Sequence, residues 1–345
     1  MDFKTYLGNR LPLVESALAA ASVSPLTGDS VASDLARYLY APLAHFTAEG
    51  GKRVRPVLCL LGAEAVGGEA EEALAPAVAI ELFQSAALIH DDIADASELR
   101  RGEPCLYRTE GVGMATNMGD LALVQVIEAV LQSETLPEAR KLPVIGQLVA
   151  MERHTLEGQA LDLGWARDGR WDVTEQDYLY MVESKTAWYT VASPLYVGAL
   201  AGGAAPEAAR GLVELGRHAG VAFQLQDDLL NLVGDASAQG KDFRSDVTEG
   251  KRTLAVVWAL AHLDEPERRE LVTLLESGTT AEDELARAVE LIERGGGVTR
   301  CRELAASEAA AAKACARTLA DEGRISPAAR DILASMADFF VERQS

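Results

Sequence analysis

Apolar and polar positions along this chain repeat with the period of helices almost throughout. Residues 73–95 (LAPAVAIELFQSAALIH and onward) are apolar nearly all round, as in a helix buried within a bundle rather than lying on its surface. Residues 212–233, around FQLQDDLLNLV, have the same character. The remaining periodicity predicts helices near 33–48, 53–66, 115–132, 139–163, 175–199, 252–263, 281–294, 301–321 and 327–342. Breakers fall between them at Gly50-Gly51, Gly67-Gly68, Gly102 to Pro104, Gly202-Gly203 and Gly295 to Gly297. Strand-like runs are scarce, and no linker or short repeat divides the chain. The expectation is an all-α fold, one large helical bundle spanning residues 1–345 as a single domain.

One uncharged stretch, residues 186–206, is long enough to span a bilayer. It holds Pro194, Pro206, three glycines and several hydroxyls, so a buried helix and turn is expected, with no integral membrane segment. The first residues, MDFKTYLGNR, are polar where a signal peptide needs an apolar core. Four cysteines show no CxxC spacing, which gives no zinc motif or disulfide framework and points to a reducing, cytoplasmic setting. The charge is strongly acidic, with 53 Asp plus Glu against 32 Lys plus Arg and a net charge of −21. Long-range repulsion disfavours nucleic acid and anionic membranes as partners. A small anion remains possible where a metal or local cations invert the field.

Two aspartate clusters carry the candidate chemistry. One is HDDIAD, with Asp91, Asp92 and Asp95; the other is QDDLLN, with Asp227, Asp228 and Asn231. Residues at i and i+4 share a helix face with Cβ atoms about 5–6 Å apart, so Asp91 pairs with Asp95 and Asp227 with Asn231. Each cluster follows an apolar run, where carboxylates are costly unless something positive is bound. Oxygen ligands suit Mg²⁺, which takes one or two carboxylates together with phosphate oxygens. Two clusters on facing helices would form a two-sided clamp for a diphosphate. A single DDxxD could equally be a solvated face; two after apolar runs make that reading weaker. The cations gather in three groups: Lys52-Arg53 with Arg55, Arg100-Arg101, and Lys241 with Lys251-Arg252. Lys185-Thr186 heads the uncharged stretch. His90 beside the first cluster is expected to be a supporting or core histidine rather than a base.

The order GGKRxRP, DDxxD, RRGxP, KT, FQxxDD, GK resembles the trans-isoprenyl diphosphate synthases, or polyprenyl synthetases, from about residue 37 to about 260. The resemblance is to geranylgeranyl diphosphate synthases in particular. It implies that Lys52, Arg53 and Gln84, with Arg101 assisting, hold the diphosphate of isopentenyl diphosphate. Gln84 stands where many members have His and farnesyl-type members have Gln. Asp91, Asp95 and Asp227 would hold magnesium on an allylic diphosphate, three ions with substrate bound, with Asp92 and Asp228 supporting. Asn231 stands where many members have Asp and some geranylgeranyl-type members have Asn. Arg100, Lys185 and Lys241 would contact the same diphosphate, and Thr186 and Gln224 would flank the developing carbocation. A homodimer is also implied. Farnesyl-type members end in a basic tail that reaches the site; this chain ends VERQS with only Arg343, so no part for the tail is expected.

The resemblance further implies that the product grows along the helix of the first cluster. Short-chain members place bulky aromatics four and five residues before its first aspartate, where this chain has Ala87 and Ala86. An open channel with Phe83 one turn deeper as its floor is expected, and a C20 product. A class I terpene cyclase also uses DDxxD, with Asn/Asp, Ser/Thr and Glu at i, i+4 and i+8 in its second motif. Ser245 and Glu249 have that spacing, but the first place is Lys241. A non-catalytic partner subunit would be expected to lose its carboxylates, and both clusters are intact.

Overall fold

The computed structural model describes residues 1–21, 24–49, 51–234 and 243–343. Helices α1 (Phe3–Ala20), α2 (Ala32–Leu35) and α3 (Ala41–Ala48) open the chain, the last two joined by a π-helical turn over Ala36–Tyr40. Next come α4 (Val54–Ala65) and α5 (Leu74–Ala94). A two-residue hairpin, β1 (Leu99–Arg100) and β2 (Glu103–Pro104), is the only sheet among the described residues. Helices α6 (Leu106–Glu110), α7 (Val112–Leu131), α8 (Glu138–Arg167) and α9 (Glu175–Val182) follow. A π-helical stretch, Glu183–Ala192, leads into α10 (Ser193–Ala201). The rest is α11 (Pro206–Val233), α12 (Ser245–Thr248), α13 (Leu254–His262), α14 (Glu265–Glu276), α15 (Glu282–Arg294), α16 (Gly297–Asp321) and α17 (Pro327–Glu342).

Local chemistry explains the boundaries. Asp2 caps α1, Asp264 caps α14 and Ser326 caps α17, each accepting from a backbone N–H of the first turn. Thr174 and Asp177 form a reciprocal capping box at α9. Besides the short α6 and α12, two longer helices lie outside the ranges expected from sequence. In α1, Gly8 and Pro12 interrupt the pattern, yet Phe3, Tyr6 and Val14 are buried, and Phe3 packs on Phe339 and Phe340 of α17. In α14, EPERRELVTLLE is mostly charged and buries only Leu271 and Leu275.

Helix α5 runs through the core, with buried residues on most of its circumference. Helix α11 joins two apolar clusters. Its Leu212, Leu215, Ala219 and Ala222 pack with α4, α5, α10 and α17. Its Val221, Leu225, Leu229 and Leu232 pack with α9 and α13 to α16. The uncharged 186–206 stretch lies inside this core, as expected, with the chain turning at Gly202–Gly203. Helices 70–94 and 112–131 have the length and apolarity to cross a membrane; the first is two-thirds buried within this fold.

Two glycines set the approach of α8 and α11 to the π-helical stretch. A Cβ at Gly158 would lie 2.3 Å from the Lys185 backbone nitrogen, and one at Gly220 would lie 2.5 Å from Ala187 Cα. Only glycine permits these contacts. They hold Lys185 and Thr186 against α8 on one side and α11 on the other. Non-α turns of this kind often mark functional positions.

Candidate active site

Both aspartate clusters sit at the C-terminal ends of long helices. Asp91 and Asp92 occupy the last turn of α5 with Asp95 as its C-cap; Asp227, Asp228 and Asn231 occupy the last turns of α11. A helix C-terminus carries partial negative charge and favours cations, so carboxylates there are unfavourable alone. The side chains show the strain of that placement. Burial and the neighbouring Asp91 push the Asp95 carboxyl up to about 6. Burial likewise raises Asp228 and Asp246. Asp92 Oδ2 is buried without a hydrogen-bond partner.

Each cluster is tied to basic or amide groups. Gln159 Nε2 of α8 donates to Asp91 Oδ1 at 2.7 Å. Arg100 donates to Asp92 through Nε at 2.9 Å and through Nη2. Lys251 Nζ lies 3.8 Å from Asp95, 3.5 Å from Asp246 and 2.6 Å from Glu249. Asn231 Oδ1 accepts from the Asp246 backbone N–H at 3.2 Å, so Lys251 and Asp246 bridge the two clusters. Asp228 is enclosed: Tyr178 Oη donates to Oδ2 at 2.6 Å and Gln224 Nε2 to Oδ1 at 2.7 Å. Lys185 is paired with Asp162. Burial opposes the Lys185 ammonium, but Asp162 and Asp91 outweigh it and raise its pKa. A cavity of about 140 Å³ brings together Lys185, Thr186, Gln224, Asp227, Asn231, Asp246 and Lys251.

The second basic group is built by the hairpin and the loop before α4. Arg101 (φ 56) and Gly102 (φ 90) form its two-residue turn, with both φ positive, as tight hairpins require. Arg100 thereby points at Asp92, while Arg101 reaches across to the Glu49 carbonyl and lies over Gly51. Lys52 is exposed beside it, and Gln84 on α5 has its buried Oε1 without a partner.

Arg53 departs from its expected part in diphosphate binding. Its left-handed backbone (φ 48) turns the side chain inward, leaving it 1% exposed. There it bonds Glu15 at 2.9 Å, Glu81 at 2.6 Å and the Thr47 and Ala48 carbonyls at 2.9 and 3.2 Å. Four of its five N–H groups are engaged and the side chain is buried, so it faces Glu15 and Glu81 instead of an incoming diphosphate. Arg55, two residues on, stacks on the Tyr189 ring, donates to Tyr189 and Thr190, and keeps a buried Nε without a partner. The sequence signal for this exchange was Glu81, a carboxylate inside an apolar helix.

The C-terminus also differs from expectation. Arg343 lies over the Phe223 ring at 4.0 Å and donates to Asp227 Oδ1 at 2.8 Å. Lys241 lies outside the described residues. His90 Nε2 is 3.4 Å from the Thr116 carbonyl and 3.5 Å from Asp120, facing α7, consistent with a supporting histidine. Sequence does not single out Gln159, Asp162, Tyr178 or Asp246, whereas Lys251 belongs to the third cation group and is here brought to both aspartate clusters. Gln159 and Asp162, one helical turn apart on α8, were the readable sign.

Beneath the first cluster, α5 presents two stripes. Ala87 lies above Phe83, and Ala86 above Leu82 and Val78, at i−4 spacing. Ala86 is buried among Leu43, Phe46, Ala115, Met118 and Ala122. Val78 and Leu82, with Tyr40, Leu43, Thr47 and Gln125, line a cavity of about 270 Å³. Phe83 does not line it; its ring meets Tyr189 edge-on at 5.9 Å.

A helical fold here sets two carboxylate clusters with flanking cations above a cavity that Val78 and Leu82 of α5 line. The polyprenyl synthetase family profile matches residues 36–292, and the chain belongs to that family. It is 40% identical over 303 residues to a short chain isoprenyl diphosphate synthase of Methanothermobacter thermautotrophicus, covering 87% of this chain and 89% of that one. It is 39% identical over 250 residues to a (2E,6E)-farnesyl diphosphate synthase of Mycobacterium tuberculosis, covering 72% and 68%. Its fold is similar to the structure of a geranylgeranyl pyrophosphate synthase from Corynebacterium glutamicum complexed with isoprenyl diphosphate and magnesium. The TM-score is 0.87 at 27% identity, covering 99% of this chain and 100% of that one.

Proposed function

We propose that this protein is a magnesium-dependent trans-prenyltransferase, a single-domain cytoplasmic enzyme. It joins isopentenyl diphosphate to an allylic diphosphate (dimethylallyl, geranyl or farnesyl) and makes chiefly the C20 product, geranylgeranyl diphosphate. The observation that carries this reading is the pairing of two carboxylate clusters across Lys251 and Asp246, above an apolar cavity along α5.

The donor set fits magnesium. It is all oxygen, stands at two negative helix ends, and holds more buried negative charge than its cations relieve. Asp91, Asp95 and Asp227 would be the ligands. Asp92 and Asp228, already bonded to Arg100 and Tyr178, would support them. When bound, the ions supply positive charge to the departing diphosphate. Lys185, Lys251 and Arg100 add to that charge from fixed positions, which favours ionisation at the allylic C–O bond. Thr186, buried in the π-helical stretch, and Gln224 present dipoles to the cation without a reactive nucleophile. Lys52, Arg55, Arg101 and Gln84 would hold isopentenyl diphosphate so that its double bond meets the cation. Among the described residues no base is assigned to the final deprotonation, and the released diphosphate can accept that proton.

The outer faces of α7 and α8 support a homodimer. Leu142, Val149, Leu156 and Leu163 recur every seven residues along α8 and are all exposed, as are Val124 and Leu131 on α7. A sustained seven-residue apolar seam is the pattern by which helices pair. A second copy of the chain would cover it.

The test is incubation of purified protein with Mg²⁺, labelled isopentenyl diphosphate and each allylic primer, followed by sizing of the products. Incorporation that disappears with chelator is expected. No incorporation from any primer, or a cyclic hydrocarbon from one prenyl diphosphate alone, overturns the reading. Light scattering of the same sample should give twice the chain mass.

A further inference from the structure

Away from the diphosphate site, one cluster gathers three different metal-binding groups. Glu214 and His218 stand at i and i+4 on one face of α11, and Cys315 projects from α16, which packs along it. One ligand atom from each lies within 4.8 Å of the others. Glu308, also on α16, lies 2.6 Å from His218 Nδ1. A carboxylate on one ring nitrogen fixes the imidazole and leaves the other nitrogen its lone pair, as for most metal-ligating histidines. His218 precedes Asp227 by nine residues, about 13 Å along the helix, so the cluster stands apart from the aspartates. A surface cavity of about 530 Å³ lined by Glu214, His218 and Glu308 gives an ion a way in.

Packing accounts for part of this arrangement and not for the rest. The His218–Glu308 pair alone would be an ordinary ion pair between two helices. The convergence of Glu214 on both the imidazole and the thiol adds nothing apolar and sets a carboxylate against a thiol. Burial, with the Glu214 charge adding to it, already disfavours the Cys315 thiolate. A cation between them would reverse that penalty. Sulfur, nitrogen and oxygen together suit a borderline ion of the zinc type, whereas magnesium prefers oxygen alone.

We propose that Glu214, His218 and Cys315 form a site for one zinc-class divalent ion, with His218 oriented by Glu308 and water completing the coordination. The ion would clasp α11, the helix that carries the second aspartate cluster, to α16. It would be distinct from the magnesium ions in ligand chemistry and in location.

Cobalt(II) makes the site visible, because thiolate coordination gives a charge-transfer band that carboxylate sites lack. The full-length protein, with Mg²⁺ saturating its oxygen sites, is titrated with Co²⁺. One equivalent should produce that band with the intense visible bands of a four-coordinate ion, and one equivalent of Zn²⁺ should abolish both. Cys315→Ser should remove the charge-transfer band, and His218→Ala and Glu214→Gln should each weaken binding by tenfold or more. Prenyl transfer with Mg²⁺ should be unchanged in all three. Absence of the band in the native protein, or its survival in Cys315→Ser, overturns the proposal. Alkylation of Cys315 in the native protein checks it independently of any variant's folding. Zn²⁺ should slow that reaction at least tenfold, and an unchanged rate counts against the site.

Discussion

Substituting Ala86 by Phe should shorten the product, and the structure sets the scale. Along α5, Ala86, Leu82 and Val78 lie about 7, 13 and 19 Å below Asp91 at the helical rise of 1.5 Å per residue. An extended chain advances roughly 1.2 Å per bond, so each isoprene unit of four chain bonds adds about 5 Å. A C20 chain starting level with Asp91 would then reach roughly 19 Å, to Val78, and a C15 chain roughly 14 Å, to Leu82. The cavity lined by Val78 and Leu82 is thus at the depth that the third and fourth units need.

A phenyl ring at position 86 would intrude above that cavity, among Leu43, Phe46 and Met118. The main product should fall from C20 to C15 or C10. Overpacking should cost about 1–3 kcal/mol, so thermal unfolding must confirm a folded variant. The assay uses labelled isopentenyl diphosphate with dimethylallyl diphosphate, hydrolysis of the product diphosphate, and reversed-phase sizing of the alcohols. Leu82→Ala is the companion: it opens the cavity and should lengthen the product. Phe83→Ala, on the neighbouring stripe against Tyr189, should mainly destabilise the core, by about 3–5 kcal/mol. An unchanged length in Ala86→Phe refutes the channel, and lengthening by Phe83→Ala but not by Leu82→Ala moves its floor to Phe83.

Three further outcomes follow from particular contacts. Arg343→Ala should free Asp227, which is 54% exposed; an exposed pair is worth about 0.5–1 kcal/mol, so Mn²⁺ measured by electron paramagnetic resonance should bind roughly two- to fivefold tighter. Weaker binding would mean that the tail supports the site instead of competing for it. Arg53→Met strands Glu81 in the core and should cost about 3–5 kcal/mol in urea unfolding, while Arg55→Ala should chiefly raise KM for isopentenyl diphosphate. Burial lifts Glu152 of α8 from 4.5 to about 7, so its folded form favours the protonated state. Its contribution to stability should therefore be intact below pH 4.5, decline as pH rises from 4.5 to 7, and stay lost above 7. Glu152→Gln should remove about 2 kcal/mol of that decline, a figure reduced for partial exposure, and an equal gain at pH 4 and pH 8 would contradict the cause.

The aspartate clusters were readable because their meaning is local. An i, i+4 carboxylate pair at the end of an apolar run is already a site on one helix. The same holds for the buried 186–206 stretch and for the long helices α5 and α11. What could not be read depends on two helices meeting. Asp162 and Gln159 matter only because Gly158 lets α8 touch the backbone at Lys185. Lys251 matters because its turn carries it between Asp95 and Asp246. Arg53 and Arg55 are near neighbours with opposite fates, decided by a left-handed backbone at Arg53 and by Glu15 and Glu81 far away in sequence. Helix α14 was missed for a related reason: two leucines suffice to dock it, too few to shape a pattern.

The net charge of −21 acquires a different sense once these pairings are known. The cations around the two aspartate clusters are already held by carboxylates: Arg100 by Asp92, Lys185 by Asp162, Lys251 by Asp246 and Glu249, Arg343 by Asp227. A diphosphate arriving alone would have to draw these cations from their partners and would leave the aspartates facing one another. A divalent ion arriving alone would crowd the same cations. Arriving together, each takes what the other releases: the carboxylates turn to the ion and the cations to the phosphate oxygens. Binding of the two should therefore be coupled, each tightening the other by the same factor. An acidic protein can select an anionic substrate in this way, because the negative charge admits the diphosphate only in the company of its metal.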